Sequence, residues 1–391
     1  MDPQIAGLST RLQAAWQRSD DLFARLPDLQ QRPIHLRHPF VFYLGHLPAF
    51  AWNQLAVAVL GRAPTGPLDQ LFAFGIDPDS ADQAEAQSIA AYPPVDDIVA
   101  YRDQVRADLL ALLPELAAGD SVLHRRGRAV NLVIEHELMH HETLLYMIAH
   151  GELPIGDGGW EGGDGEAAEP IEVPAGEATL GAPFDALPFG WDNEFPARTV
   201  PVPGFRIDSL PVRIVDWRAF VQAGGPTPSS WVDGRVRTVV GPVPLADVGG
   251  WPVQVSQEQA AAYAAWRGRR LPTEAELARV RHVPAEANVG FRSWCPRPVG
   301  QAGDSPSGVR EVVGNGWELT ATVWRRHEGF RPYVASYAGY SADFFDGQHN
   351  VVVGGSWATD EALLRPSFRN WYRRDYPYVF SKFRTVTADQ R

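Results

Sequence analysis

Residues 136–142 read HELMHHE, and two metal-binding frames overlap in them. His136-Glu137-x-x-His140 has the HExxH spacing of zinc peptidases, while His136-x-x-x-His140-x-Glu142 is a second frame with different chemistry. On an α-helix, residues four apart lie about 40° apart around the axis, so His136 and His140 share a face and can hold one ion. Two imidazoles need a third ligand from elsewhere. The metzincin extension of the peptidase frame requires Gly at 143 and His at 146, where this chain has Thr143 and Tyr146. A downstream helical Glu is equally hard to place, because a glycine-rich stretch begins at Gly151. The peptidase frame therefore lacks a third ligand.

Upstream, FVFYLGHLPAFAWNQL (40–55) carries His46 beside Gly45 in an otherwise apolar helix. Helical bundles build metal sites from side chains on facing helices, which makes His46 the expected partner of His136 and His140. His141 points about 100° away from His140 and is expected at the surface or in packing. Glu142, about 200° round from His140, is expected to hold another helix or an imidazole rather than the ion. His35, His38, His124 and His150 have no partner in this pattern and are expected in solvent. Three neutral imidazoles with open cis positions suit zinc or ferrous iron, and spacing does not choose between them.

Around this centre the first half reads as helices. Apolar residues recur at helical spacing over 5–26 (Leu8, Leu12, Ala15, Trp16, Leu22, Phe23), and a second apolar run covers about 39–60. A third helix starts at Val95 after Pro93-Pro94, and the fourth, over 122–150, carries the histidines. Four such helices predict an up-and-down bundle. Residues 151–169, GELPIGDGGWEGGDGEAAE, read as a linker. Beyond it, short β-like runs alternate with Gly/Pro turns, interrupted by helices over 256–267 and 273–281.

Composition narrows the function classes. The 391 residues suffice for two domains, and the 45% hydrophobic and 21% charged contents are those of a globular protein. The 13 Trp, 36 Gly and 33 Pro predict a loop-rich second half braced by aromatic side chains. With 35 basic against 47 acidic residues, the net charge of −12 argues against a nucleic-acid partner. No apolar run is long enough to span a membrane, and no signal peptide is visible at the N-terminus. The single cysteine, Cys295, excludes an internal disulfide; it fits a structural role and a reducing cytoplasm.

GHL (45–47) with HELMHHETL (136–144) resembles the DinB-like domain of the ergothioneine-type sulfoxide synthases. The second half resembles the formylglycine-generating-enzyme fold that follows it in that family. The supporting stretches are VPAGEATLGA (173–182), FGWDNEFPARTVPVPGF (189–205), GRRLPTEAELA (268–278), GNGWELTATVW (314–324) and GGSWATDEALLRPSFRNW (354–371). The resemblance implies an α + (α+β) chain. Its parts are a DinB-like four-helix bundle over 1–160 and a C-type-lectin-like formylglycine-generating-enzyme/sulfatase-modifying-factor domain over 161–391. It also implies Fe(II) on His46, His136 and His140, and O2-dependent attachment of a chalcogen to imidazole C2 of hercynine (Nα-trimethylhistidine). Formylglycine-generating enzymes use a cysteine pair, so one cysteine excludes their activity and leaves the second domain to bind substrate.

Carried over by position, Tyr340 in YAGYSADFFDG (337–347) falls where the family keeps a proton-donating tyrosine, with Tyr337 as the neighbouring alternative. Asn370 and Trp371 fall where the family binds the hercynine carboxylate and trimethylammonium, the latter a cation–π contact. Met139 stands where several sulfur-using relatives carry Gln. γ-Glutamylcysteine users also carry an arginine pair after the second helix, yet this chain has no arginine between Arg62 and Arg102. That region offers Asp77, Asp79, Ser80 and Asp82, which suit a neutral sugar better than a dianionic peptide. The expectation from sequence is the selenoneine synthase branch, with a selenosugar donor. A sulfoxide synthase using γ-glutamylcysteine or cysteine is the alternative, with Arg365, Arg369, Arg373 and Arg374 as compensating cations. A non-catalytic metal-binding module is the reading from another class.

Overall fold

A computed structural model describes residues 3–73, 92–156 and 158–387. The chain divides into two compact units. The first spans Met1–Gly151 and also takes Tyr333–Ser336; the second comprises Glu152–Pro332 and Tyr337–Arg391.

The first unit is helical. Helix α1 (Pro3–Ala24) buries Leu8, Leu12, Ala15, Trp16, Leu22 and Phe23, the stripe its period predicts. Helix α2 (Phe40–Trp52) has every residue buried, as an apolar run without a polar face requires. The single helix expected over 39–60 does not persist: after Trp52 the chain widens into a π-helical segment, Asn53–Val59. Apolar periodicity does not distinguish an i+4 from an i+5 hydrogen bond. A short helix, α3 (Pro67–Leu71), follows and has no counterpart in the sequence reading. Helix α4 (Val95–Ala118) opens behind Pro94 with Asp96 and Asp97 in its first turn, where the helix dipole favours acids. It buries Ile98, Val105, Leu109, Leu113 and Leu116 along one side.

Helix α5 (Arg128–His150) begins six residues later than expected from 122. Gly127 precedes it at φ 64, and a Cβ there would lie 2.5 Å from Leu8 Cδ1. The glycine thus serves both the left-handed turn and the close approach of α1. Helices α1 and α5 are joined by Arg11 Nη1 donating to Asn131 Oδ1 at 2.6 Å.

The second unit is built from short strands. Strands β1 (Pro170–Val173), β2 (Phe205–Asp208) and β7 (Val386–Thr387) form one antiparallel sheet in the order β1-β2-β7. Strands β3 (Trp317–Val323), β4 (His349–Val353), β5 (Asn370–Arg373) and β6 (Ser381–Lys382) form a second sheet in the order β5-β4-β3-β6. The β6–β3 pair is parallel, the other pairs in that sheet antiparallel. One continuous core joins the two sheets, including Val173, Phe205, Ile207, Trp324, Val351, Trp371 and Val386. The helices over Gln257–Trp266 and Glu274–Val280 are capped by Ser256 with Gln259 and Thr273 with Glu276, two capping boxes.

The stretch read as a free linker is fastened down. Ile155 and Gly156 both donate to the Val239 carbonyl at 2.8 Å, Gly163 donates to Asp247, and Glu166 donates to Val299. Gly250 donates to the Gly163 carbonyl at 2.7 Å, so close that a Cβ on Gly250 would sit 2.3 Å from Gly165 N. The glycines here allow backbone to lie on backbone, which composition cannot tell from flexibility. Cys295 is fully buried and its thiol is pushed up to about 12 by burial, as a structural thiol should be. Among the described residues, no helix is long and apolar enough to cross a membrane.

Candidate metal centre

Helix α2 supplies His46, and α5 supplies His136 and His140. Each offers a ring nitrogen, and the three ligand atoms lie within 4.8 Å of one another. The Nε2 atoms of His136 and His140 are 3.2 Å apart. Around the centre, His136 is stacked on Phe50 at 3.6 Å, and His46 on Phe42 at 5.2 Å. These rings fix the imidazole planes by packing.

The hydrogen bonding of His46 identifies its tautomer. Nδ1 lies 2.8 Å from the Phe72 carbonyl, an acceptor only, so Nδ1 carries the proton. Nε2 is then a bare lone pair, buried and without a hydrogen-bond partner. That is the arrangement of a metal-ligating histidine: one nitrogen committed to a carbonyl, the other free for the ion. Burial pulls the His46 pKa down to about 4 and holds those of His136 and His140 well below the ordinary value. The three rings are therefore neutral near pH 7, the form that binds metal.

Glu137 closes the peptidase frame from another side. It accepts from Ser19 Oγ at 2.5 Å on α1 and lies 3.9 Å from Arg106 Nη2. It is thus engaged by α1 and α4 side chains, which takes up the carboxylate that a zinc peptidase would need as its general base. His141 faces the same way, buried and 2.9 Å from Ser19 Oγ, a packing residue. Glu142 is buried in α5 and also lies outside the ligand cluster. Met139 is half-buried.

His38 corrects an expectation. It is buried rather than solvated, stacked on Phe42 at 4.0 Å. The ring follows the apolar face of the chain entering α2, and burial pulls its pKa down to about 4. His35 is exposed, whereas His124 and His150 are half-buried.

In the second unit, Tyr340 sits in the short helix Gly339–Ala342. Its ring is stacked on Trp191 at 4.0 Å and meets Trp371 edge-on at 5.1 Å and Tyr337 at 5.3 Å. The next residue, Ser341, donates to Asp192 and accepts from Asn193 Nδ2 at 3.1 Å. The Trp191-Asp192-Asn193 run thus grips Tyr340 and Ser341 together. Nothing in the local sequence signals that grip beyond a lone serine in an aromatic run. Burial pushes the Asp192 carboxyl up to about 6. Trp371 is 8% exposed and lies against Trp324 at 4.1 Å. Asn370 is half-buried, with Oδ1 accepting from Trp371 N at 2.8 Å.

The arginines offered as compensating cations all have partners already. Arg365 grips Glu194 through two bonds, at 2.8 and 2.5 Å, and Arg369 pairs with Glu274 at 3.2 Å. Arg373 lies 3.6 Å from an Asp375 oxygen, and Arg374 donates to Asn350 Oδ1 at 2.9 Å. Asp77, Asp79, Ser80 and Asp82 lie outside the described residues.

Comparison with known proteins adds the lineage. The model of the DinB superfamily matches residues 11–144, and that of the sulfatase-modifying factor enzyme 1-like domain matches residues 163–389. Ergothioneine biosynthesis protein 1 of Neurospora crassa is 31% identical over 92% of this chain and 55% of its own length. The chain thus spans about half the length of that relative. Hercynine oxygenase of Mycolicibacterium smegmatis is 35% identical over 74% of this chain and 78% of its own. A solved structure of PvdO from Pseudomonas aeruginosa aligns with a TM-score of 0.42 at 20% identity, over 56% of this chain and 93% of that one. With both domain models matched in order, and with that identity running along most of a hercynine oxygenase, the chain belongs to the ergothioneine-type sulfoxide synthase family.

Proposed function

We propose that this protein joins a thiol to imidazole C2 of hercynine at the expense of O2, using Fe(II) held by His46, His136 and His140. The observation that carries the reading is the cluster of three neutral imidazoles, two buried and one half-buried, with the tautomer of His46 fixed and its Nε2 unpartnered. Ferrous iron on three such ligands keeps open positions and supplies the redox chemistry with O2 that zinc lacks. The reaction balances without a further reductant. Hercynine C2–H, one thiol RSH and O2 give the sulfoxide C2–S(O)R and one water, the two substrates supplying all four electrons.

The remaining roles belong to this chain's side chains. The Phe72 carbonyl keeps the His46 proton on Nδ1. Tyr340, held flat against Trp191, is the proposed proton donor, and Asn370 and Trp371 are the proposed contacts to the hercynine carboxylate and trimethylammonium. From the sequence a selenosugar is the favoured donor, because no arginine stands between Arg62 and Arg102 and the chain is compact; the acidic residues that would face the sugar, Asp77 to Asp82, lie outside the described part. The relatives are named for ergothioneine biosynthesis and hercynine oxygenation, which supports sulfur over selenium.

The test is anaerobic loading with Fe(II), then addition of O2, hercynine and three competing donors: γ-glutamylcysteine, cysteine and a selenosugar. Mass spectrometry is expected to find the hercynine sulfoxide of a thiol with Fe(II) and no product with Zn(II). A selenium product in preference to sulfur would restore the selenoneine reading. Iron binding without any product would leave a metal-binding module. Tyr340→Phe should slow product formation while leaving hercynine affinity near wild type, since one phenol proton matters only in the transition state. An unchanged rate, together with an effect in Tyr337→Phe, would move the role to Tyr337.

A further inference from the structure

We propose that Asp69 and Tyr101 are positioning residues for the metal ligand His46, acting through the carbonyl of Phe72. This rests on the three-histidine metal reading but not on the choice of donor or on Tyr340. Phe72 directly follows α3, a helix of five residues. A helix that short has no stability of its own, so the position of the Phe72 carbonyl must be imposed by something else.

Asp69 imposes it. Its carboxylate is 1% exposed and turns back on the start of its own helix. It accepts from Thr65 N, from Thr65 Oγ1 at 3.0 Å and from Gly66 N at 3.3 Å. Tyr101 on α4 donates to Asp69 Oδ1 at 2.5 Å, tying the short helix to a long one. Asn53, the first residue of the π-helical segment, donates to the Asp69 carbonyl at 3.0 Å. Two neighbouring elements thus hold α3 from separate sides.

The far end of α3 is seated by shape. Phe72 has no exposed surface, and its ring fills a notch at Gly45, the residue before His46. A Cβ on Gly45 would fall 2.4 Å from Phe72 Cε2. The Phe72 main chain cannot shift without losing either this seat or the bond to His46 Nδ1. The buried carboxylate of Asp69 spends its hydrogen bonds on Thr65 and Gly66 at the start of α3 and on Tyr101 of α4, so it ties that loop to the long helix.

The experiment uses Tyr101→Phe and Asp69→Asn in the full chain, with folding checked by far-UV circular dichroism. In metal-free protein carrying 15N-labelled histidine, wild type should show His46 locked as the Nδ1–H tautomer, told apart from His327, whose Nδ1 also lies 3.0 Å from a carbonyl, by its loss in His46→Ala. Both variants should move that signal toward a mixture of tautomers. Anaerobic Fe(II) titration should then give a Kd raised about 10–100-fold, the range for lost outer partners of metal-bound histidines. If Asp69→Asn fails to fold, Tyr101→Phe, which removes one oxygen, carries the test. Folded variants with a wild-type His46 signal and wild-type Kd would overturn the inference and leave the metal reading standing. A wild type that binds no Fe(II) would overturn the metal reading itself, and the role toward a ligand with it.

Discussion

The two units treat their deepest polar groups differently. In the first, the neutral imidazoles of His46 and His136 are buried and that of His140 half-buried, and His46 Nε2 meets no hydrogen-bond partner from the protein. In the second, Lys382, Arg384 and Glu318 are buried as charges with no exposed surface. There, Arg384 donates to both Glu318 oxygens at 2.9 and 3.2 Å, and Lys382 donates to the carbonyls of Val312 and Gly314 at 3.2 and 2.8 Å. A satisfied network of this kind needs nothing from outside and specifies one arrangement of loops. An unsatisfied cluster of ligands costs stability unless something binds it. The difference separates a region whose buried polar groups are satisfied internally from one that leaves ligand atoms open.

The largest effect should come from opening the charged network. Glu318→Gln leaves Arg384 and Lys382 buried without their carboxylate and should cost about 3–5 kcal/mol. Urea unfolding followed by tryptophan fluorescence would measure it, because all tryptophans except Trp16 and Trp52 belong to the second unit. A loss under about 1 kcal/mol would mean that the network is not what holds these loops.

Metal should act on the other unit. Anaerobic Fe(II) at about a hundred times its Kd should add about 2.7 kcal/mol to the first unit, followed by helical circular dichroism. The tryptophan-reported transition should not move. His46→Ala should abolish the gain, and an equal gain in that variant would exclude His46 as a ligand.

Acid sharpens the contrast. His38 is held neutral in the folded protein with a pKa of about 4, below its ordinary 6.5. Its contribution is complete above pH 6.5 and falls as the unfolded chain takes up a proton. By pH 5 the loss should be about 2 kcal/mol, and His38→Phe should remove that part of the slope. Asp192 has the opposite sign: its carboxyl is raised to about 6, so its contribution is present below pH 4 and is lost as pH rises through 6. Between pH 5 and 7 that is about 1 kcal/mol, and Asp192→Asn should flatten it. If neither variant changes the profile, buried titration does not distinguish the two units.

Much of the first unit was legible because helical burial is periodic. The stripe on α1, the apolar run around His46 and the shared face of His136 and His140 all follow from 3.6 residues per turn. The two capped helices of the second unit are legible for the same local reason, a hydroxyl three residues before a Gln or Glu. The stretch 151–169 was misread because glycine permits both a loose chain and close backbone contact, and only the Val239, Asp247 and Val299 partners tell which. His38 was misread because nothing in its immediate sequence shows that Phe42 lies over its ring.

By itself, the sequence determined that two histidines share a helix face, that an apolar helix carries a third, and which family the chain resembles. Only the tertiary structure decided that Glu137 turns to Ser19 and away from the ligands, and that the His46 proton is held by a carbonyl 26 residues away. It likewise decided that Ser341 and Trp191 hold Tyr340 from either side of its backbone and ring. The physical reason is one of range. Periodicity and capping are set within a turn of helix, whereas the direction of a buried polar side chain is set by whichever distant donor or acceptor satisfies it.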